Sequence, residues 1–349
     1  DADPQVRLLA LMWISDQRLQ DHRKDVEKVL ADPQITPELF YAAITTISRL
    51  DSTDVKETDM VKRLKERIAD PATSAKLKRT ALTILSDRER NVNAGDLEPL
   101  LTQGSEADRE WFTQVLGTLG DPKREPLLHG LVFSKKQPFS VRAAALSRVT
   151  VTRDEATLLI SGKTDGDEIL QRAALLAFPD YTAPPPPASR PPLQDIKAWS
   201  TYLDKVPGKP DPARGREVFM HPKLGGCVLC HRVEGLGSIA GPNLSTIGSA
   251  KSADYILESL LQPSRNVAPQ FECFMLATAD GQVRTAFQLM ERGGNHTYAG
   301  LDGKTFEVKI EDIVKRERFP VSIMPEGLVN RLSDEEVRDL VEYLKQQKG

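Results

Sequence analysis

Cysteine is scarce in this chain, with three in 349 residues. Three cannot build a disulfide framework, so packing must hold the fold and each cysteine needs its own explanation. Long apolar runs are missing too. None approaches the roughly 18 residues that a bilayer-crossing helix requires, so no transmembrane segment is expected. Neither charge sign dominates. With 47 Lys and Arg against 50 Asp and Glu, the formal net charge is -3, which argues neither for nucleic acid nor for a membrane surface as partner, and no nucleic acid is expected. The runs KRLKER (62–67) and KRER (315–318) are short and read as solvated faces. Aromatic residues make up 6%, and Trp13, Trp111 and Trp199 read as packing residues. The chain opens on Asp1 without a basic-then-apolar leader, as a mature form or an excised piece would, so the compartment has to come from chemistry.

What is present is ordinary for globular protein, with 40% apolar and 28% charged residues and a length suited to two or three domains. The clearest boundary is TAPPPPASRPP, residues 182–192, with six prolines in eleven residues. Such a run lacks helix donors and favours an extended, semi-rigid spacer. It divides the chain into 1–181 and 193–349.

Before the spacer, apolar residues recur at helical spacing in VRLLALMWI (6–14), LFYAAITTISRL (39–50), LKRTALTILS (77–86), WFTQVLGTLG (111–120), VRAAALSRV (141–149) and ILQRAALLAF (169–178). Breakers fall between them at Asp32-Pro33, Asp70-Pro71, Asp121-Pro122 and Gln137-Pro138. Small residues facing large ones suit stacked helix pairs. The pattern resembles a HEAT-like α-solenoid, with an irregular helical bundle as the plainer alternative. DSTDVKETD (51–59) reads as an exposed loop between repeats.

After the spacer a helix is expected over Leu193–Val206. Another begins at DPARGREVF, where Pro212 follows Asp211 as a first helical residue should. Helical pattern returns in SADYILESLLQP and in LSDEEVRDLVEYLKQQ, which carries Ser333 and Glu336 as a capping box. Between these, FECFMLAT, VRTAFQLMER, HTYAGL and TFEVKIEDI are β-branched and aromatic. The pairs Asp280-Gly281, Gly293-Gly294 and Asp302-Gly303 separate them. This predicts a small antiparallel β insertion over about residues 270–313. The expected fold class is therefore mainly α, with a helical repeat domain first and a helical domain carrying a β insertion second.

Two of the three cysteines stand in GGCVLCHRV, residues 225–233. A zinc site would need four ligands, and the remaining Cys273, His221 and His296 are isolated. A thioredoxin-like dithiol would need a βαβ setting. A chance structural pair leaves His231 unexplained. Covalent haem c accounts for all three residues. The thiols of Cys227 and Cys230 reach two vinyl groups of one porphyrin, and His231 presents its imidazole to the iron. The candidate for the second axial position is the Met324 thioether in SIMPEGL, where Pro325 holds the preceding backbone extended. Met275, Met290, His296 and His221 are its rivals. The histidine needs an acceptor for Nδ1–H, and the Pro242 carbonyl in GPNL (241–244) offers one. Cys273 reads as a buried thiol that packs as a small hydrophobe.

GREVF, CVLCHRVEGLGSIAGPNLSTIG, YILESLLQPSRNVAPQF, TADGQ, SIMPEGL and LSDEEVRDLVEYL follow one another in an order that resembles the haem-binding cytochrome c domain typical of planctomycetes and verrucomicrobia. The resemblance runs from Asp211 to the C-terminus. It implies thioether attachment at Cys227 and Cys230, with His231 proximal and Met324 distal. In that family such domains often end long secreted proteins, after a sugar-dehydrogenase-like β-propeller and HEAT-like repeats. The expectation is electron transfer by one covalent, His/Met-ligated haem c, in the periplasm or outside the cell, taking electrons from a dehydrogenase domain or another redox partner protein. A peroxidase-like enzyme using His296 and a haem-based redox or gas sensor are the alternatives.

Overall fold

The computed structural model describes residues 3–32, 35–52, 57–85, 92–161, 168–178, 180–238, 240–300 and 305–348. The fold is mainly α, and the chain divides into two compact units, Asp1–Pro179 and Asp180–Gly349.

The first unit contains α1 (Pro4–Gln17), α2 (Arg23–Leu30), α3 (Pro37–Asp51), α4 (Glu57–Ala69), α5 (Ala75–Ile84), α6 (Ala94–Leu97), α7 (Glu106–Thr118), α8 (Arg124–Phe133), α9 (Phe139–Leu146), α10 (Arg153–Ile160) and α11 (Glu168–Ala177). The six helical segments expected from periodicity correspond to α1, α3, α5, α7, α9 and α11. A partner lies between each successive pair, as with α2, α4, α8 and α10. Some of these, such as RKDVEKVL in α2, are polar with only a narrow apolar stripe, whereas α8, REPLLHGLVF, is mostly apolar. Each helix packs on helices close in sequence: α1 and α2 on α3, α4 on α5, α5 on α7, α8 on α9, and α10 on α11. Small residues are buried with large ones: Ala43, Ala81, Ala145, Ala156 and Ala174 have no exposure, and Phe40, Leu82, Trp111, Phe112 and Leu116 have almost none. Ser105 and Thr152 cap α7 and α10 through reciprocal bonds with Asp108 and Glu155. Of the tryptophans, Trp111 and Trp199 are buried as expected. Trp13 is 66% exposed and lies on an outward stripe of α1 with Leu9 and Met12, which corrects its reading as a packing residue. The stretch 51–59 is not all loop, because Asp51 ends α3 and Glu57 begins α4; residues 53–56 lie outside the described residues.

The second unit contains α12 (Ile196–Leu203), α13 (Pro212–Met220), α14 (Ile247–Ala250), α15 (Ala253–Leu261), α16 (Asp334–Lys345) and five strands: β1 (Cys273–Thr278), β2 (Val283–Arg292), β3 (Asn295–Gly300), β4 (Thr305–Lys309) and β5 (Ile313–Phe319). The helix expected over Leu193–Val206 is shorter, since Asp195 caps it through the Ala198 N–H. The proline stretch belongs to this unit and its end is fastened to it. The Arg190 guanidinium bonds Asp334 at 2.7 Å and the carbonyls of Val329 and Leu332 at 2.8 and 2.6 Å, and it lies over the Trp199 ring. The spacer reading therefore needs correction at its C-terminal end.

Helices α13 and α16 cross closely because Gly215 has no side chain; a Cβ there would collide with the Asp339 carbonyl oxygen. Asp339 is fully buried and accepts from Arg214, Arg338 and the Asp211 N–H. Arg338 also donates to the carbonyls of Val206, Pro207 and Gly208. Ser333 and Glu336 form the expected capping box at the start of α16.

The β insertion is an antiparallel sheet in the order β4-β3-β2-β1-β5. It runs past residue 313. The fifth strand contains the KRER run and pairs with β1, so that run is a sheet edge as well as a solvated one. Charged residues alternate there without an apolar partner set, so the strand has no binary pattern to reveal it. Gly281, Gly293 and Gly294 take positive φ at the turns. The Asp302-Gly303 turn lies outside the described residues.

Candidate functional site

All three cysteines are thiols, none in a disulfide. Helix α13 ends at His221, and the chain turns through Gly226 into a single 3-10 turn over Cys227–Leu229. That turn closes when the Cys230 and His231 N–H groups donate to the Cys227 carbonyl at 3.1 and 2.8 Å. Cys227, Cys230 and His231 thus occupy one compact turn, and each is half-buried.

The segment 241–244 is strapped beside this turn. Gly241 N–H donates to the Cys230 carbonyl at 2.6 Å and Leu244 N–H to the Arg232 carbonyl at 2.8 Å, with Arg232 and Asn243 forming a parallel bridge. The strap brings the Pro242 carbonyl to 3.0 Å from His231 Nδ1, as the sequence predicts. A carbonyl only accepts, so this contact assigns the proton to Nδ1. The Nε2 lone pair is left as the acceptor, without a hydrogen-bond partner among the described residues. Burial lowers the His231 pKa, against the opposing pull of the Pro242 carbonyl, and so favours the neutral ring. Burial also pushes the Cys227 thiol up to about 12, with the neighbouring Cys230 adding to the shift. A thiol held neutral is a poor zinc ligand and a poor disulfide-exchange nucleophile.

One face of the sheet closes over the turn. Phe319, Cys273, Phe287 and Ala299 are successive cross-strand partners in one row. Cys273, Phe287 and Ala299 bury against Ala240, with Cys230, Phe271, Leu289 and Ile323 packed around them. Burial raises the Cys273 pKa, partly offset by the Ile323 backbone. The loop before Met324 therefore meets the same apolar cluster as Cys230. Met324 is half-buried. Its N–H donates to Ser322 Oγ at 3.1 Å, while Ser322 N–H donates to Ser264 Oγ at 3.2 Å. This cluster escaped the sequence reading because Ala240, Ile323 and the strands are distant in the chain.

The rivals for the axial position are placed elsewhere or held otherwise. Met290 is 53% exposed, and Met275 lies on β1 at 37% exposure. His221 Nδ1 accepts from the Lys223 N–H at the end of α13. His296 is buried on β3. Strand alternation puts it with Tyr298 on the face opposite Ala299, where its Nδ1 lies 3.0 Å from Tyr298 Oη. Its Nε2 is 3.0 Å from Glu291 Oε2 but out of line for a hydrogen bond. Leu276, Ala286, Tyr298 and Val308 form a separate apolar cluster on that face.

Among the described residues, no three His, Cys, Asp or Glu side chains converge as a multidentate metal site would require. A haem needs few donors from the protein, and the residues of the turn fit its attachment and proximal side. The turn offers two thiols, an imidazole with its tautomer set and Nε2 available, and an apolar wall. In comparison with known proteins, no family model matches the chain and no curated protein does. Among the described residues no helix is long and apolar enough to cross a membrane.

Proposed function

We propose that the protein transfers single electrons through one covalently bound haem c, with Cys227 and Cys230 as thioether attachments, His231 as proximal ligand and Met324 as distal ligand. The observation that carries the reading is the His231–Pro242 contact, in which a donor-less proline carbonyl fixes the Nδ1 proton and frees Nε2 in the same turn as two thiols. A haem held by histidine and methionine supplies one-electron exchange at a raised potential and leaves no position for substrate on iron. The chain's own residues do the rest. The 241–244 strap orients the imidazole. The row Cys273, Phe287 and Ala299 excludes water on the Cys230 side, which itself raises the potential by lowering the local dielectric.

The first unit reads as a HEAT-like solenoid, supported by its pairing of helices near in sequence. Such a stack offers an extended surface for docking a redox partner, a dehydrogenase protein or domain that oxidises a sugar. Covalent haem attachment needs reduced thiols and an assembly system that works outside the bacterial cytoplasm, so the periplasm or the exterior is the proposed compartment. The peroxidase reading loses its distal group, because the sheet carries His296 on the face away from Cys230.

The test is production in a host competent for haem c maturation, followed by a pyridine haemochrome spectrum and intact mass. One porphyrin added through two thioethers is expected, and bound zinc or no tetrapyrrole overturns the proposal. Reduction of the haem by a sugar dehydrogenase supplied with its sugar then tests the partner class.

A further inference from the structure

We infer that Gly241 is a positioning residue for the axial imidazole: the absence of a side chain there allows His231 to reach the Pro242 carbonyl. This rests on the haem reading for its redox consequence, but its structural core stands on the polypeptide alone.

An ideal Cβ built on Gly241 would lie 2.9 Å from both His231 Cε1 and His231 Nδ1, and 3.2 Å from the Cys230 carbonyl oxygen. Carbon atoms at rest do not approach so closely. The Nδ1–Cε1 edge of the imidazole therefore occupies the space that a side chain on Gly241 would need. The strap cannot back away from the ring without loosening the Gly241 N–H bond to the Cys230 carbonyl at 2.6 Å. A methyl group would have to push the ring off Pro242. Breaking the Nδ1–H···O bond weakens the imidazole as a donor through Nε2, which disfavours ferric relative to ferrous iron. Gly241 also takes no positive φ, so turn conformation does not account for its presence, and the near contact with the ring does.

The experiment compares wild type with Gly241→Ala, both matured with haem. With equal haem content by pyridine haemochrome, the variant should show an upward shift in reduction potential. It should also lose the slowly exchanging His231 Nδ1 proton in the NMR spectrum. Unchanged potential and unchanged exchange at equal haem content overturn the inference. If Gly241→Ala fails to mature or fold, the haem-free cycle decides. The destabilisation caused by Gly241→Ala, read from urea midpoints, should be at least halved in a His231→Ala background, because the clashing ring is gone. An equal cost in both backgrounds overturns the inference. A wild type without haem defeats the electron-transfer reading, while the same cycle still tests the ring contact.

Discussion

Single residues carry the site. The closeness of Cys227, Cys230 and His231 was legible from their spacing, because a C-x-x-C-H run in one tight turn brings two thiols and an imidazole together. Pro242 was legible because a carbonyl in a donor-less peptide is a natural acceptor for Nδ1–H, and the 3.0 Å contact has that form. Gly241 was not legible, since a glycine before proline reads as a plain turn until the ring is seen against it. Met324 is the residue whose role chemistry can decide most sharply. In the haem-loaded protein, Met324→Ala should open the sixth position, so the ferrous form binds carbon monoxide that the wild type resists; equal binding by both would remove Met324 from the iron. Asp339 shows what a buried charge does at this scale. It has three donors and no exposure. Asp339→Ala takes the carboxylate from Arg214 and leaves Arg338 with only its carbonyl acceptors, and about 3–5 kcal/mol of stability should be lost, read from the urea midpoint of the second unit.

Elements behave less locally than their sequences suggest. The helices with broad apolar stripes announced themselves, whereas a helix such as α2 did not, because a helix that packs along one narrow line needs few apolar residues. The fifth strand was missed for a related reason. Its residues Lys315, Arg316, Glu317 and Arg318 satisfy water and neighbours rather than a core, with Arg316 over the Phe274 ring and Arg318 paired to Glu272. Its strand character comes from pairing with β1. The proline stretch is an element of its own, held by Arg190. Arg190→Ala removes three charge-assisted bonds from a side chain that is 6% exposed, each worth about 1.5–3 kcal/mol. Faster proteolysis within 182–192 and a lower unfolding midpoint of the second unit are expected. Unchanged cleavage would mean that the prolines alone hold the segment.

At the scale of the molecule, each unit has its own core and its own response to solution conditions. In the first unit several carboxylates lie below their ordinary range: Asp51 through Arg23 and then Arg63, Asp70 through the Ala72 N–H, Asp121 through the Ala94 N–H, and Glu155 through the Thr152 N–H. A depressed folded-state pKa means that the unfolded chain binds the proton more readily. The stability these groups contribute is therefore full above the unfolded values of 3.8 for Asp and 4.5 for Glu, and it is lost as pH falls through the lower folded values. Urea midpoints of the first unit should be level from pH 7 to 6 and fall steadily below about pH 4.5. A midpoint that rises on acidification would contradict these assignments.

By itself the sequence determined a mainly helical chain, a boundary near the prolines, a β insertion and the gathering of two cysteines and a histidine in one turn, because periodicity, turn residues and residue spacing are properties of neighbours along the chain. Only the tertiary structure decided where the insertion ends, that Arg190 ties the proline stretch down, that His296 faces away from the cysteines, and that Cys230, Cys273 and Ile323 share one apolar wall. Those outcomes depend on contacts between residues far apart in the chain, where strand register and burial select among pairings that local pattern leaves equivalent.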